Sequence, residues 1–273
     1  MHFFHILYRG ENMIFINHDD LRSLECFNIC LNDGLYVSDD ISDLKYADII
    51  YLGRKGLDRK NLLYLHNENI YIEEFVFENL LNNTVILTLI FNEYMYELSL
   101  KYNFTYIALL DDESFIDENS VLTAEGMISY MISHRTFPLY HSHILILGYG
   151  HCAKAIFKLL NGFDSCIDVY CRNKSMFEKE NRHVFNNLDE IDFYKYNIIV
   201  NTIPEVIIDK KYIDKMNKDV AIFDIASFPY GIDHHYALEK GLNAIILPSI
   251  PTRYAYKYAG RMIYNKIKEL ISC

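Results

Sequence analysis

The stretch His143–Lys154 reads HILILGYGHCAK, in which a short apolar run leads straight into Gly-x-Gly-x-x-Ala at Gly148, Gly150 and Ala153. Each of these positions has a physical task at a diphosphate. Gly148 permits the tight turn off a strand, Gly150 lets backbone approach a pyrophosphate, and Ala153 lets the following helix pack closely on the sheet. The unpaired N–H groups at the start of that helix, together with its positive dipole end, would then face the phosphates. The intervening Tyr149, His151 and Cys152 are therefore counted among the cofactor-binding residues.

About two dozen residues beyond Gly148, where the second strand of such a unit ends, the chain reads Asp168-Val-Tyr-Cys-Arg172-Asn173-Lys174-Ser175. An acid closing that strand would hydrogen-bond ribose hydroxyls and mark NAD. Arg172 stands near that place instead, with Asn173, Lys174 and Ser175 able to line a pocket for a 2′-phosphate. A guanidinium meets such a phosphate as a planar, charged donor fork. The expected cofactor is NADP, with NAD as the alternative; a solvated surface arginine is the plainer reading of Arg172.

These residues need a scaffold. Apolar strand-like runs alternate with helical patterns along most of the 273 residues, which predicts parallel sheets covered by helices on both faces. In the first half strands are expected at Met13–Ile16, Gly34–Val37, Ile49–Leu52, Thr84–Leu89 and Thr105–Leu110, with helices near Leu21–Leu31, Ile72–Leu81 and Glu93–Tyr102. In the second half strands are expected at His143–Leu147, Ile167–Cys171, Ile198–Asn201, Ala221–Asp224 and Ala244–Leu247. Thr123–Ser133 reads as a joining helix, and Tyr254–Ile271 as a last helix long enough to return to the first domain. The fold class is α/β, with two doubly wound parallel-sheet domains. Residues 1–134 form a flavodoxin-like, substrate-side domain with the interdomain helix, and residues 135–273 a Rossmann domain plus the returning helix.

Ligands of such folds bind at the carboxyl ends of the strands. In the second domain those loops carry Asn201-Thr202-Ile203-Pro204, Asp224 with Ser227 beyond it, and Pro248–Pro251. In the first they carry His18–Arg22 and Gly53-Arg54-Lys55-Gly56. A substrate is expected between the two sets.

A formal net charge of −11 argues against nonspecific binding to nucleic acid or to an anionic membrane. The six cysteines form no Cys-x-x-Cys, and Cys26 and Cys30 are one helical turn apart, as on a buried helix face. They read as reduced thiols of a cytoplasmic protein. No apolar run approaches the roughly 20 residues that span a bilayer. The opening MHFFHILYRGEN lacks the pattern of a secretory signal; because Met13 begins a clean strand, residues 1–12 read as an upstream extension. His234-His235 point apart on a helix, so no metal site is expected.

The block Asn201-Thr-Ile-Pro204 … Phe223-Asp-Ile-Ala-Ser227-x-Pro-x-Gly231-x-Asp233 … Pro248-x-x-Pro251 … Lys257-x-Ala-Gly260 resembles the A-type subunit of dipicolinate synthase, as does Asn119-x-x-x-Thr123-Ala-Glu-Gly126 leading into Leu145-x-Leu-Gly-x-Gly150. The resemblance covers Glu97 to Ile271 well and thins before it. The Gly-Gly-Asp-x-Arg turn usual in that family is here His18-Asp19-Asp20-Leu21-Arg22, with both glycines replaced. The resemblance implies an oxidoreductase of sporulation. It would act in an oligomer in the mother-cell cytoplasm with a flavoprotein-like B-type partner. A hydroxylated tetrahydrodipicolinate would be converted to pyridine-2,6-dicarboxylate by loss of water and two hydrogens.

For a dianionic heterocycle the candidates are Lys257 as carboxylate clamp or proton carrier and Glu125 as base. Arg22, Arg54, Thr123 and Ser227 are the candidate substrate contacts. Plainer readings exist: Thr123-Ala-Glu-Gly as a capped helix start, Lys257 as a solvated lysine, and Asp224 and Asp233 as loop-fixing groups. A D-2-hydroxyacid dehydrogenase would need an Arg and a His where Ser227-Phe228 and Pro248-Ser249 stand. A shikimate-type NADP reductase shares Asn-Thr-x-Pro, but its lysine–aspartate pair is not identifiable. A non-catalytic, NADP-binding regulatory or assembly protein is the remaining alternative.

Overall fold

The structure is a computed structural model and describes residues 12–134, 138–173 and 184–272. The chain divides into two compact units, one formed by the chain up to Ile116 together with the chain from Ala255 onward, the other by Asp117–Tyr254. The divisions thus fall at 116/117 and 254/255, inside and after helical segments, and not at 134.

The first unit opens with β1 (Ile14–Ile16), α1 (Leu21–Asn32), β2 (Val37–Ser38) and β3 (Ile49–Tyr51). There follow β4 (Leu62–Leu65), β5 (Glu68–Tyr71), α2 (Glu74–Glu78), β6 (Val85–Thr88), α3 (Glu93–Tyr102) and β7 (Thr105–Ala108). Its sheet has the order β2-β1-β3-β6-β7, every pairing parallel. That is a doubly wound order with its switch point between β1 and β3. Ile14, Phe15 and Ile16 are all buried because helices cover both faces, so their run is continuously apolar. The second strand starts at Val37, since Gly34 takes a left-handed φ of +75° in the turn leaving α1. Helix α2 is shorter than the Ile72–Leu81 pattern.

One element went unread in the sequence. Residues 62–71 form the antiparallel hairpin β4–β5 in place of loop. Its two-residue turn places His66 and Asn67 both at left-handed φ, +52° and +68°, as a primed hairpin turn demands. No glycine advertised it.

Helix α4 (Glu113–Ser133) starts ten residues before Thr123. Asp112 caps it, accepting the Phe115 amide at 2.9 Å. The second unit then builds β8 (His143–Leu147), α5 (His151–Leu160), β9 (Cys166–Tyr170), β10 (Val184–Phe185), β11 (Ile198–Asn201) and α6 (Lys210–Ile213). It closes with β12 (Ala221–Asp224), α7 (His234–Glu239), β13 (Asn243–Ile246) and α8 (Ile250–Tyr254). The sheet order is β10-β9-β8-β11-β12-β13, all parallel. This is the Rossmann order, with its switch point between β8 and β11. The α/β architecture of two doubly wound parallel sheets read from the sequence is therefore observed.

The last helical pattern, expected at Tyr254–Ile271, is α9 (Tyr256–Ile271), separated at Ala255 from the short α8 that precedes it. Helix α9 packs on α1. A Cβ at Gly260 would lie 2.6 Å from the Arg22 carbonyl oxygen and 2.7 Å from Glu25 Cβ, so only glycine admits this approach.

Candidate dinucleotide site

The register of the second sheet puts the ends of five strands on one line: Tyr170 pairs with Leu147, Leu147 with Asn201, Asn201 with Asp224, and Asp224 with Ile246. All the loops singled out in that domain therefore leave from a single edge. Gly148 turns off β8 with φ +104°, and its N–H donates to the Tyr170 carbonyl at 2.8 Å. A Cβ there would overlap Thr202 Oγ1 and stand 3.1 Å from Ile203 Cγ1. Gly150 is the N-cap of α5 and offers no side chain to cap it, while a Cβ added to it meets nothing within 4 Å. Open space therefore faces the uncapped helix end, the cradle a diphosphate requires. Ala153 is fully buried among Ile146, Val169 and their neighbours, holding α5 close to the sheet. Gly148 turns the chain and Ala153 packs the helix as their types implied.

The β11 loop is braced from beneath. The buried Asn201 side chain donates from Nδ2 to Asp224 Oδ1 at 2.8 Å and to the Ile203 carbonyl at 3.0 Å, and its Oδ1 accepts the Ile203 amide. Asp224, also fully buried, accepts the Ala226 and Gly231 amides at 3.1 and 2.9 Å, and His234 Nε2 lies 3.0 Å away. The head groups of Asn201 and Asp224, counted with the cofactor residues, thus shape the loops through each other. His234 is a member that sequence reasoning missed; it comes 10 residues after its carboxylate partner. Thr202 lies above this network, half-buried, its hydroxyl donating to the Leu147 carbonyl at 2.9 Å. Ile203 is half-buried and Pro204 exposed at the same edge.

Several side chains take partners that spacing did not reveal. Arg172 is exposed just past β9 and ion-paired with Glu205. Asn173 is exposed beside it, its carbonyl accepting the Cys171 thiol. Lys174 and Ser175 lie outside the described residues. His151 Nδ1 is 2.7 Å from Asp117 Oδ1 on α4, so its ring leans on that helix. Cys152 lies 3.5 Å from Ser120 Oγ, and burial pushes its thiol above the ordinary range, which makes it an unreactive packing group. Tyr149 packs edge-on against Phe157 with Lys154 Nζ 5.5 Å from its ring centre.

The interdomain-helix candidates change meaning. The Thr123-Ala-Glu-Gly126 segment sits in the middle of α4, so it caps nothing. The Thr123 hydroxyl donates back to the Asn119 carbonyl at 2.9 Å, and the residue is buried. Gly126 is required because a Cβ would overlap Ile250 Cγ2 and stand 2.9 Å from Tyr254. Glu125 is exposed and opens on a groove with Ile128, Ile132, Leu159 and Phe163, at the C-terminal end of α5 and away from its glycine-rich start. Ser227 is exposed in the loop after β12, its carbonyl closing a turn with the Tyr230 amide.

In the first unit, Arg22 proves to be buried. Its Nε and a terminal nitrogen both reach Asp20 Oδ2, at 2.9 and 2.6 Å, while Asp20 Oδ1 caps α1 through the Arg22 and Ser23 amides. Burial pushes the Asp20 carboxyl up, but the Arg22 guanidinium and the Ser23 amide outweigh it and hold the group below its usual range. Asp19 fills the switch point itself, accepting the Arg54 amide at 3.1 Å and lying where a Cβ on Gly53 would strike it. Burial raises its pKa, with the Arg54 amide only partly opposing. A free anion-binding turn at Arg22 is thus replaced by an internal ion pair. Arg54 is half-buried, and Lys257 lies exposed in the first turn of α9.

The fold order, the glycine edge and the uncapped α5 define a Rossmann-type α/β protein of the dehydrogenase architecture. In sequence it is similar to the A-type subunit of dipicolinate synthase of Bacillus subtilis (strain 168), 25% identical over 210 residues that cover 76% of this chain and 71% of that protein. In structure it is similar to the corresponding dipicolinate synthase protein from Bacillus halodurans, with a TM-score of 0.84 and 23% identity over 97% of this chain and 98% of that one. A D-isomer specific 2-hydroxyacid dehydrogenase from Lactobacillus delbrueckii ssp. bulgaricus, solved in its NAD-complexed form, shares the fold more distantly. Its TM-score is 0.54 and its identity 12%, over 96% of this chain and 95% of that one. No family model matches the chain. The likeness to the A-type dipicolinate synthase proteins read from the motifs is upheld by both sequence and fold. Among the described residues, no helix is long and apolar enough to cross a membrane.

Proposed function

We propose that this chain is the nucleotide-binding component of a dipicolinate synthase. It would give pyridine-2,6-dicarboxylate during sporulation by removing two hydrogens from dihydrodipicolinate, or two hydrogens and one water from a hydroxytetrahydrodipicolinate. NADP is the cofactor proposed, and a flavoprotein-like B-type protein the partner, in an oligomer in the mother-cell cytoplasm. The observation that carries the reading is the edge formed by Gly148, Gly150 and Ala153, combined with alignment to the A-type dipicolinate synthase protein along most of the chain. A bound nicotinamide would supply the hydride acceptor. Gly148 and Gly150 would admit the diphosphate to backbone N–H groups, Thr202, Ile203 and Pro204 would bound the ribose, and Arg172 would take the 2′-phosphate once released from Glu205.

For the dianionic substrate, Lys257 is the better supported contact. It stands in the first turn of α9, where Ala255 supplies no side-chain cap and no acid offsets the helix dipole. A lysine there opposes helix stability by a few tenths of a kcal/mol up to about 1 and concentrates positive potential suited to a carboxylate. Arg54 and Ser227 are further proposed carboxylate contacts. Glu125 is the less suited base, given its position at the far end of α5.

A second reading has its own support. The loops after β12 and β13 present Ser227 and Ser249, while Asp224 and His234 are bonded to each other, as in a protein that binds nucleotide and leaves the redox step to its partner. Titration with NADPH, followed by assay with the B-type partner for the ultraviolet absorbance of pyridine-2,6-dicarboxylate, separates the two. Product formed only with NADP supports the first. Product formed through the partner's flavin without NADP supports the second, and absence of NADPH binding removes both.

A further inference from the structure

At the carboxyl edge of the first sheet three groups converge that neither the glycine motif nor the proposed reaction uses. His18 follows β1, Asp39 follows the adjacent β2, and His66 stands at the tip of the β4–β5 hairpin. His18 Nε2 lies 2.7 Å and His66 Nε2 3.4 Å from the same atom, Asp39 Oδ2. The two imidazoles meet edge-on with centres 4.9 Å apart, and His18 also packs on Phe27, with centres 5.4 Å apart.

We propose that His18, Asp39 and His66 form a binding site for one divalent transition-metal ion of the zinc class. Two neutral imidazoles and one carboxylate are a common ligand set for such ions, leaving a fourth position for water or an oxygen donor. With metal–ligand bonds of about 2.0–2.2 Å in a tetrahedron, neighbouring ligand atoms stand roughly 3.3 Å apart. The His66–Asp39 separation is already close to that value, and His18 needs to withdraw by only about 0.6 Å. The scaffold fixes the third ligand without help from the first two. Asn17 donates from Nδ2 to the Tyr64 carbonyl at 3.0 Å and the Leu52 carbonyl at 3.4 Å, tying the hairpin to β1 and β3. The left-handed pair His66-Asn67 then aims the imidazole inward. His18 is 17% exposed, Asp39 36% and His66 49%, so an ion can enter from solvent. The net charge of −11 favours cation approach. The site stands apart from the nucleotide reading and survives its failure.

Titration of the whole chain with Co²⁺ tests this by the visible d–d bands of a tetrahedral ion, followed by displacement with Zn²⁺. One saturable site per chain is expected, with the melting temperature raised by Zn²⁺. His66→Asn preserves the left-handed turn and so the fold. It should weaken binding at least tenfold and abolish the thermal shift, as should His18→Gln, whereas His141→Gln should change neither. Absence of a saturable site, unaltered affinity in His66→Asn, or a near-ultraviolet thiolate charge-transfer band showing that cysteine binds the ion would each overturn the proposal.

Discussion

Arg172 and Glu205 form an ion pair that joins the loop after β9 to the loop after β11, passing over the end of β8 that lies between those strands in the sheet. Both side chains are largely exposed, 74% and 63%, so the pair itself contributes little to stability. Its significance is for the nucleotide. Glu205 neutralises the one arginine proposed for a 2′-phosphate, and a phosphate must displace it. Arg172→Ala should therefore weaken NADPH binding about tenfold or more, since a charged hydrogen bond is worth roughly 1.5–3 kcal/mol, and leave NADH binding nearly unchanged. Glu205→Gln should strengthen NADPH selectively. Fluorescence titrations with both nucleotides check this, and equal losses for NADPH and NADH in Arg172→Ala would remove the arginine from the 2′ position.

Gly148 and Gly150 separate folding from binding. A Cβ at Gly148 meets Thr202 and sits on a left-handed backbone, so Gly148→Ala should lower stability by about 1–3 kcal/mol and also lose nucleotide. A Cβ at Gly150 meets no protein atom within 4 Å. Gly150→Ala should keep the wild-type melting temperature while losing at least tenfold in NADPH affinity, because the methyl group would occupy only the space proposed for the diphosphate. Unchanged affinity in that variant would place the diphosphate elsewhere.

How much of this was legible follows from where the information resides. Residues 144–147, 198–201 and 221–224 are buried on both faces, so their apolar runs announced parallel strands almost to the residue. Gly148, Gly150 and Ala153 were legible because their demands are steric and local. The hairpin at residues 62–71 was not, because Asn61, His66 and Asn67 adopt left-handed φ without a glycine. The start of α4 was hidden because Phe115 and Ile116 are the only apolar residues in its first eight and are adjacent, too few to set a helical period. The partners of Arg172, His151 and Asp224 lie 33, 34 and 23 residues away, and no local pattern encodes such pairings. Arg22 had its partner two residues off, yet burial turned an apparent ligand clamp into an internal support.

Gly260 fixes the approach of α9 to α1. Gly260→Ala forces the new methyl against the Arg22 carbonyl and the Glu25 Cβ, both rigid neighbours at 2.6 and 2.7 Å. A loss of about 1–3 kcal/mol is expected from overpacking, measured by urea unfolding. A neutral result would show that the two helices part without cost.

Asp20 links helix capping to a buried cation, and its removal should show in both stability and pH dependence. Asp20→Ala loses the cap on Arg22 and Ser23 amides and leaves the Arg22 guanidinium buried without its bonded counter-charge. The second effect dominates, since breaking such a pair costs about 3–5 kcal/mol against roughly 0.5–2 for the cap. The sign with pH follows from the carboxyl being held below its ordinary value of 3.8 in the folded state. The folded chain then binds the proton less readily than the unfolded one, so the stability Asp20 supplies is complete above 3.8 and fades as pH falls through the depressed value. The wild-type advantage over Asp20→Ala should accordingly stay constant from neutral pH to about 5 and shrink below 3.8, as unfolding midpoints at matched ionic strength would register. An advantage that grows on acidification would mean that Arg22 finds its balancing charge in Asp19 instead.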